Sequence, residues 1–174
     1  MDERIVSIFG TARASQGDSI YALAYDLGKA LAGAGFTIAN GGYGGTMLAA
    51  AKGASEAGGR VIGVTCLAFK SKANEYVSKE IVTNSLDERL DKLIELGGAY
   101  MVLNGGTGTL LELAKVWELK NKGFLGAAKP IILVGGFWQS LIDLLAQDDP
   151  DSSRHVNIVT EPRQAVEFLN ECMI

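Results

Sequence analysis

The residues best placed to do chemistry stand in one ten-residue stretch, Leu103-Asn104-Gly105-Gly106-Thr107-Gly108-Thr109-Leu110-Leu111-Glu112. The apolar run Tyr100–Leu103 feeds into three glycines and two threonines, and a helical pattern of apolar residues follows at once, so the stretch reads as strand, tight turn, helix. Glycines at such a junction let a ligand approach the backbone closely, and the first turn of the new helix has N–H groups with no partner of their own. That combination makes an anion site. Glu112, one turn into the helix, is placed to face whatever the loop holds. Two plainer readings fit the same letters. Thr109-x-x-Glu112 matches a capping box, in which the carboxylate only folds back on the backbone, and the glycines would also serve tight packing of a helix on a sheet.

A second charged residue points to the same place. On the helix opened by Ser85-Leu86-Asp87-Glu88, which reads as a capping box, Leu90, Leu93, Ile94 and Leu96 share one arc with Leu86, and Asp87, Glu88, Asp91, Lys92 and Glu95 share the other. Arg89 falls inside the apolar arc. A guanidinium aimed inward needs an anion, because an unpaired buried charge is very costly. Glu112 lies on a stripe with Val116 and Leu119 and also looks inward. The bland alternatives are a structural salt bridge between the two and an arginine that snorkels out to water.

The elements that must position these residues alternate along the whole chain. Strands are expected at Ile5–Phe9, Thr37–Ala39, Val61–Val64, Tyr100–Leu103, Ile131–Val134 and His155–Val159, with a short extended piece at Ile81–Thr83. Helices are expected from Ile20 to Ala34, Thr46 to about Ala57, Ser85 to Leu96, Thr109 to Lys122 and Trp138 to Leu145, with a last one opened by Pro162. Between Cys66 and Lys79 the pattern weakens into an excursion near the carboxyl edge of the sheet. The alternation predicts one α/β domain over residues 1–174, a doubly wound parallel sheet with helices on both faces, and ligands bind such sheets beyond the carboxyl ends of the strands. Glycine gathers on that rim, at Gly10, Gly41-Gly42, Gly105-Gly106 and Gly135-Gly136. Asn40-Gly41-Gly42-Tyr43-Gly44 repeats the lettering of Asn104-Gly105-Gly106-Thr107-Gly108, which predicts a second backbone nest for a phosphate-bearing ligand. Neither loop is a G-x-G-x-x-G or a G-x-x-x-x-G-K-[ST] fingerprint, which argues against dinucleotide binding and against a P-loop NTPase.

The bulk composition narrows the classes further. The chain has 174 residues, is 48% hydrophobic and carries a net charge of −4 without a basic run, so nucleic acid and anionic membranes are not expected partners. The charged N-terminus Met1–Arg4 leads into too short an apolar run for a signal peptide, and no membrane-length segment occurs. A cytoplasmic protein is expected. With one histidine and two cysteines, Cys66 and Cys172, neither a metal site nor a bound cofactor is expected. The small-residue helix after Thr46 and the apolar surface around Trp117 look in need of cover, which predicts a homodimer or a multiple of one.

Taken together, these blocks resemble the "Lonely Guy" (LOG) family. Gly105-Gly106-Thr107-Gly108-Thr109-Leu110-Leu111-Glu112 with Arg89 upstream is similar to that family's P-G-G-x-G-T-x-x-E signature and arginine. Phe9-Gly10-Thr11-Ala12-Arg13, Gly41–Met47 and Gly58–Val64 resemble its other blocks in the expected order. The resemblance implies a Rossmann-like fold and hydrolysis of the N-glycosidic bond of nucleoside 5′-monophosphates, cytokinin ribotides included, to free base and ribose 5-phosphate. It implies Arg89 and Glu112 as the catalytic pair, with Arg89 keeping Glu112 ionised. It also implies a phosphate and substrate site formed by Gly105, Gly106, Thr107, Gly108 and Thr109, with Gly41, Gly42, Gly44, Thr11 and Arg13 around it. Three positions depart from the pattern: Asn104 stands for proline, Tyr43 for glycine and Thr46 for leucine. Molybdenum-cofactor carriers of the same superfold look similar too, and a non-catalytic nucleotide or cofactor carrier is the alternative reading.

Overall fold

The computed structural model describes residues 4–126 and 128–172; Met1, Asp2 and Glu3 of the charged N-terminus lie outside them. Seven strands form one wholly parallel sheet: β1 (Ile5–Phe9), β2 (Thr37–Asn40), β3 (Val61–Cys66), β4 (Lys79–Thr83), β5 (Ala99–Val102), β6 (Ile131–Val134) and β7 (Val156–Val159). Their order across the sheet is β4-β3-β2-β1-β5-β6-β7. Six helices, α1 (Ser19–Gly33), α2 (Thr46–Glu56), α3 (Leu86–Leu96), α4 (Thr107–Asn121), α5 (Gln139–Leu145) and α6 (Pro162–Cys172), complete the Rossmann-like α/β fold.

The strands are apolar on both faces because both faces are covered. Val6, Ile8, Ile38, Met101 and Ile132 point into a core roofed by α1, α2 and α6, whereas Phe9, Ala39, Val64, Tyr100 and Leu133 point into one roofed by α3, α4 and α5. The alternation is the period-2 signature of a strand seen from its two sides. Ser7, on the second face, is buried and donates its hydroxyl proton to the Leu93 carbonyl oxygen at 2.7 Å.

The chain builds outward from β1 in both directions, so the winding reverses between β1 and β5, which pair directly from Val6–Ala99 to Phe9–Val102. At such a reversal the connections leave in opposite senses and a crevice opens beyond the carboxyl ends. The loops after Phe9 and Val102 are therefore the ones that border the site.

Two expectations change. The extended piece expected at Ile81–Thr83 is a full edge strand, β4, reached from β3 without a helix. The connection makes a 3-10 turn at Leu67–Phe69 and is then pinned by Asn74, whose backbone N–H donates to the Gly42 carbonyl at 2.7 Å. Its side-chain amide donates to the Gly42 and Tyr43 carbonyls at 3.0 and 2.9 Å. One of the two surfaces expected to need a partner, that of α2, is covered within the chain. α2 lies backbone to backbone on α1: a Cβ at Gly28 would stand 2.1 Å from the Ala50 carbonyl oxygen, and one at Gly53 would stand 2.0 Å from that of Tyr25. Ala49, Ala50, Ala51 and Ala54 are accordingly fully buried. Trp117 is buried as well, its indole N–H donating to the Ser152 carbonyl at 2.9 Å. The expectation of a homodimer loses its ground at α2 and keeps it around Trp117, where Leu110 and Leu145 stand exposed beside the buried indole. Among the described residues no helix is long and apolar enough to cross a membrane.

Candidate functional site

The loop after β5 is shaped by a buried threonine. Thr109 turns under the loop with 4% of its surface exposed, and a Cβ at Gly105 would stand 2.1 Å from its hydroxyl oxygen, so only glycine fits there. Gly106 then serves as N-cap of α4 with no side chain capping the helix, and the Leu110 N–H bonds the Gly106 carbonyl at 2.9 Å. Thr107 and Gly108, ahead of that bond, are exposed at the rim. Their N–H groups sit at the positive end of a 15-residue helix, the arrangement that binds anions. The helix thus starts two residues before the expected Thr109. With Gly106 at the N-cap and Thr109 already inside the first turn, the capping box between Thr109 and Glu112 does not form.

The loop after β1 ties this turn to the one after β2. The Thr11 N–H donates to the Asn104 carbonyl at 3.0 Å, while the Thr11 carbonyl accepts from the Thr46 N–H at 2.9 Å and the Thr46 hydroxyl at 3.0 Å. Gly10 leaves room for that threonine: a Cβ there would meet the Thr46 hydroxyl at 2.5 Å. Thr46, one of the departures noted above, is thus the hydroxyl that fastens the two loops.

Arg89 reaches the site from α3, whose first turn is capped by Ser85 accepting the Glu88 N–H at 3.1 Å. Its Nε donates to the Val64 carbonyl at the end of β3 at 2.8 Å, and its Nη2 lies 3.9 Å from the Met47 sulfur. The rings of Tyr43 and Phe69 stand 5.6 and 5.7 Å from the guanidinium carbon, within cation–π range. Nη1 lies 3.9 Å from Glu112 Oε1, and the two side chains are only 9% and 15% exposed. At that separation the pair attracts without a hydrogen bond.

Burial therefore governs Glu112. Desolvation pushes its pKa up to about 7, and the attraction of Arg89 offsets only part of the rise. Arg89 thus favours the ionised form, as the resemblance implies, but burial opposes it more strongly. Near neutral pH the group is divided between its two forms, the condition under which a carboxyl both accepts and returns a proton efficiently.

These groups line a cleft of about 790 Å³, of a size that holds small-molecule ligands. Gly105, Gly106, Thr107, Gly108, Thr109, Thr11, Arg13, Arg89 and Glu112 all border it. Gly41, Gly42 and Gly44 do not. Gly41 is a space for the arginine, since a Cβ there would stand 1.7 Å from Arg89 Nη2, and Gly42, at φ +75°, packs against Thr65 and Gly63. In place of a second nest, the loop after β2 contributes the Tyr43 ring and the Met47 sulfur. Phe69 and Ser71 complete the wall from the β3–β4 connection. Neither side chain was marked by sequence, because that segment has no periodicity to read.

The model of the SLOG cluster4 family matches residues 3–166 of this chain. A cytokinin riboside 5′-monophosphate phosphoribohydrolase of Mycobacterium tuberculosis is 37% identical over 116 residues, 64% of this chain and 60% of that protein. A probable phosphoribohydrolase of the same description from Oryza sativa subsp. japonica is 27% identical over 144 residues, 81% of this chain and 63% of that protein. The matched region thus spans less than two thirds of either relative. Among solved structures, the molybdenum cofactor binding protein from Rippkaea orientalis superposes with a TM-score of 0.82 at 26% identity, covering 100% of this chain and 99% of that one. The resemblance to LOG proteins is borne out.

Proposed function

This chain belongs to the SLOG cluster4 family, and from that premise we propose that it is a hydrolase that splits a nucleoside 5′-monophosphate and water into free base and ribose 5-phosphate. The observation that carries the reading is the Arg89–Glu112 pair, buried at 3.9 Å in a cleft whose far lip is the uncapped N-terminus of α4. The relatives named phosphoribohydrolases support the reaction class.

Each part has work to do in that reaction. The N–H groups of Thr107 and Gly108 hold the 5′-phosphate, and Gly105 and Gly106 keep side chains out of its way. Glu112, one turn further along α4, lies against the ribose. As the bond from C1′ to the base nitrogen breaks, positive charge develops on C1′ and the ring oxygen, and an ionised carboxylate in a poorly solvated cleft stabilises it. Water adds at C1′ and its proton passes to Glu112, the base leaves with the bonding electron pair and takes a proton from solvent, and Glu112 releases its proton to solvent to restore the carboxylate. Arg89 cannot give up its proton; held by the Val64 carbonyl and two rings, it orients the substrate and the carboxylate.

The fold match to a molybdenum cofactor binding protein favours a second reading, a carrier that holds a phosphate-bearing ligand without turning it over. Incubation with AMP and other purine and pyrimidine monophosphates, followed by chromatography for base and ribose 5-phosphate, separates the two. Release of both products in equal amounts supports the hydrolase. Stoichiometric binding with no base released across the panel overturns it and leaves the carrier.

A further inference from the structure

We infer that Phe69, backed by Tyr43, is the specificity-determining platform on which the base of the bound nucleotide stacks; the inference rests on the nucleotide reading of the cleft. Contacts run in one order along the cleft. α4 starts at the cleft and carries Glu112 about one turn in, Glu112 faces Arg89 at 3.9 Å, and Arg89 lies 5.6 and 5.7 Å from the Tyr43 and Phe69 rings. Phosphate, ribose, glycosidic bond and base follow one another in a nucleotide in the same order. With phosphate at the helix terminus and C1′ at the carboxylate, the base reaches the two rings.

The two rings are built differently. Tyr43 is fixed: its hydroxyl donates to the Cys66 carbonyl at 3.2 Å and accepts the Cys66 N–H at 2.7 Å. Phe69 meets Tyr43 in a T-shaped contact, with centroids 5.8 Å apart and planes at 66°, and the Arg89 guanidinium stands 5.7 Å from its ring centre, so the ring is supported from two sides without being enclosed. It borders the cleft and is 46% exposed, so its ring is open to a ligand there. The backbone beside it is strained in its favour. Lys70 holds φ +50°, alone among the described non-glycine residues in the left-handed region, and the turn it makes sets Phe69 and Ser71 on the same wall. What the ring itself offers a ligand is a flat apolar face, so the platform separates ligands that carry a flat aromatic group from those that do not.

Titration calorimetry with AMP and with ribose 5-phosphate tests this, using the Glu112→Gln background so that the nucleotide survives. Phe69→Ala weakens AMP binding by roughly 5- to 100-fold, the usual loss on removing a stacked ring. Ribose 5-phosphate, which has no base, changes less than about twofold, and Phe69→Tyr restores AMP binding. An equal loss for both ligands, or none for AMP, overturns the inference, as does AMP binding no tighter than ribose 5-phosphate before the ring is removed. The wild-type hydrolysis assay is read separately: no base released while the AMP-specific loss persists overturns the hydrolase and leaves the platform standing.

Discussion

Replacing Glu112 with glutamine changes the pH dependence of folding, and the size of the change follows from its surroundings. The carboxyl has a pKa of 4.5 in an ordinary setting and about 7 in the folded chain. Its folded value is the higher one, so the folded state holds this proton more tightly than the unfolded state. The group therefore costs nothing below about pH 4.5, and the cost grows until pH passes about 7. At about 1.4 kcal/mol per unit, the full cost is ~3 kcal/mol, of which ~2.5 kcal/mol accrues between pH 5 and pH 8. Glutamine keeps the shape and carries no charge at either pH. Arg89 stays charged throughout, and its attraction to Glu112, present only where the carboxyl is ionised, is already contained in the folded-state value of about 7. Urea unfolding of wild type and Glu112→Gln at pH 5 and pH 8 measures the effect as a difference of differences, in which all other titrating groups cancel. The variant gains about 2.5 kcal/mol on wild type across that interval, a shift of several degrees in Tm for a chain of this length. Stability curves that run parallel from pH 5 to pH 8 would refute the argument and place Glu112 in water.

Three further outcomes are expected. In the hydrolysis assay Glu112→Gln lowers kcat by about 10² to 10⁴ with little change in KM, and wild-type kcat/KM rises with pH through about 7 as the carboxylate forms. Gly41→Ala drives a methyl group into the guanidinium of Arg89, at a built distance of 1.7 Å, and lowers both turnover and stability, the latter by about 1–3 kcal/mol in thermal unfolding. Gly106→Val leaves Tm nearly unchanged, because nothing lies within 4 Å of a Cβ there and the backbone is extended, yet it weakens phosphate binding in calorimetry by about tenfold or more as the side chain crowds the anion.

What sequence could show depended on how local the cause was. Arg89 was legible because a helix repeats every 3.6 residues, so one charged letter on the apolar arc of α3 declares itself without any other part of the chain. Glu112 and the loop before it were legible for the same reason: strand, glycines and helix are neighbours in sequence. The two N-G-G-x-G turns show where this fails. Their letters match, but the second opens a helix toward the cleft, and Gly41 in the first answers to a side chain from α3 that fills the space a Cβ would need. Phe69 was hidden because its position is set by Asn74 bonding to the Gly42 and Tyr43 carbonyls across the fold. The cover over α2 was hidden because an alanine-rich pattern does not say what lies on it. Only the backbone contacts at Gly28 and Gly53 identify α1 as the answer.

The cost at Glu112 also bears on the choice between hydrolase and carrier. A cleft that only holds a phosphate needs the N–H groups of α4 and the small residues around them, and those make no demand on a carboxyl one turn further in. At neutral pH a buried carboxylate repels an incoming phosphate, so for a pure carrier it weakens the ligand as well as the fold. Glutamine or leucine at position 112 would serve a carrier better on both counts. The carboxyl makes sense where positive charge forms beside it, and in the proposed reaction that charge forms at C1′ of the ribose. Arg89, kept at 3.9 Å rather than closed into a bidentate pair, leaves the carboxylate free to meet that charge when it appears.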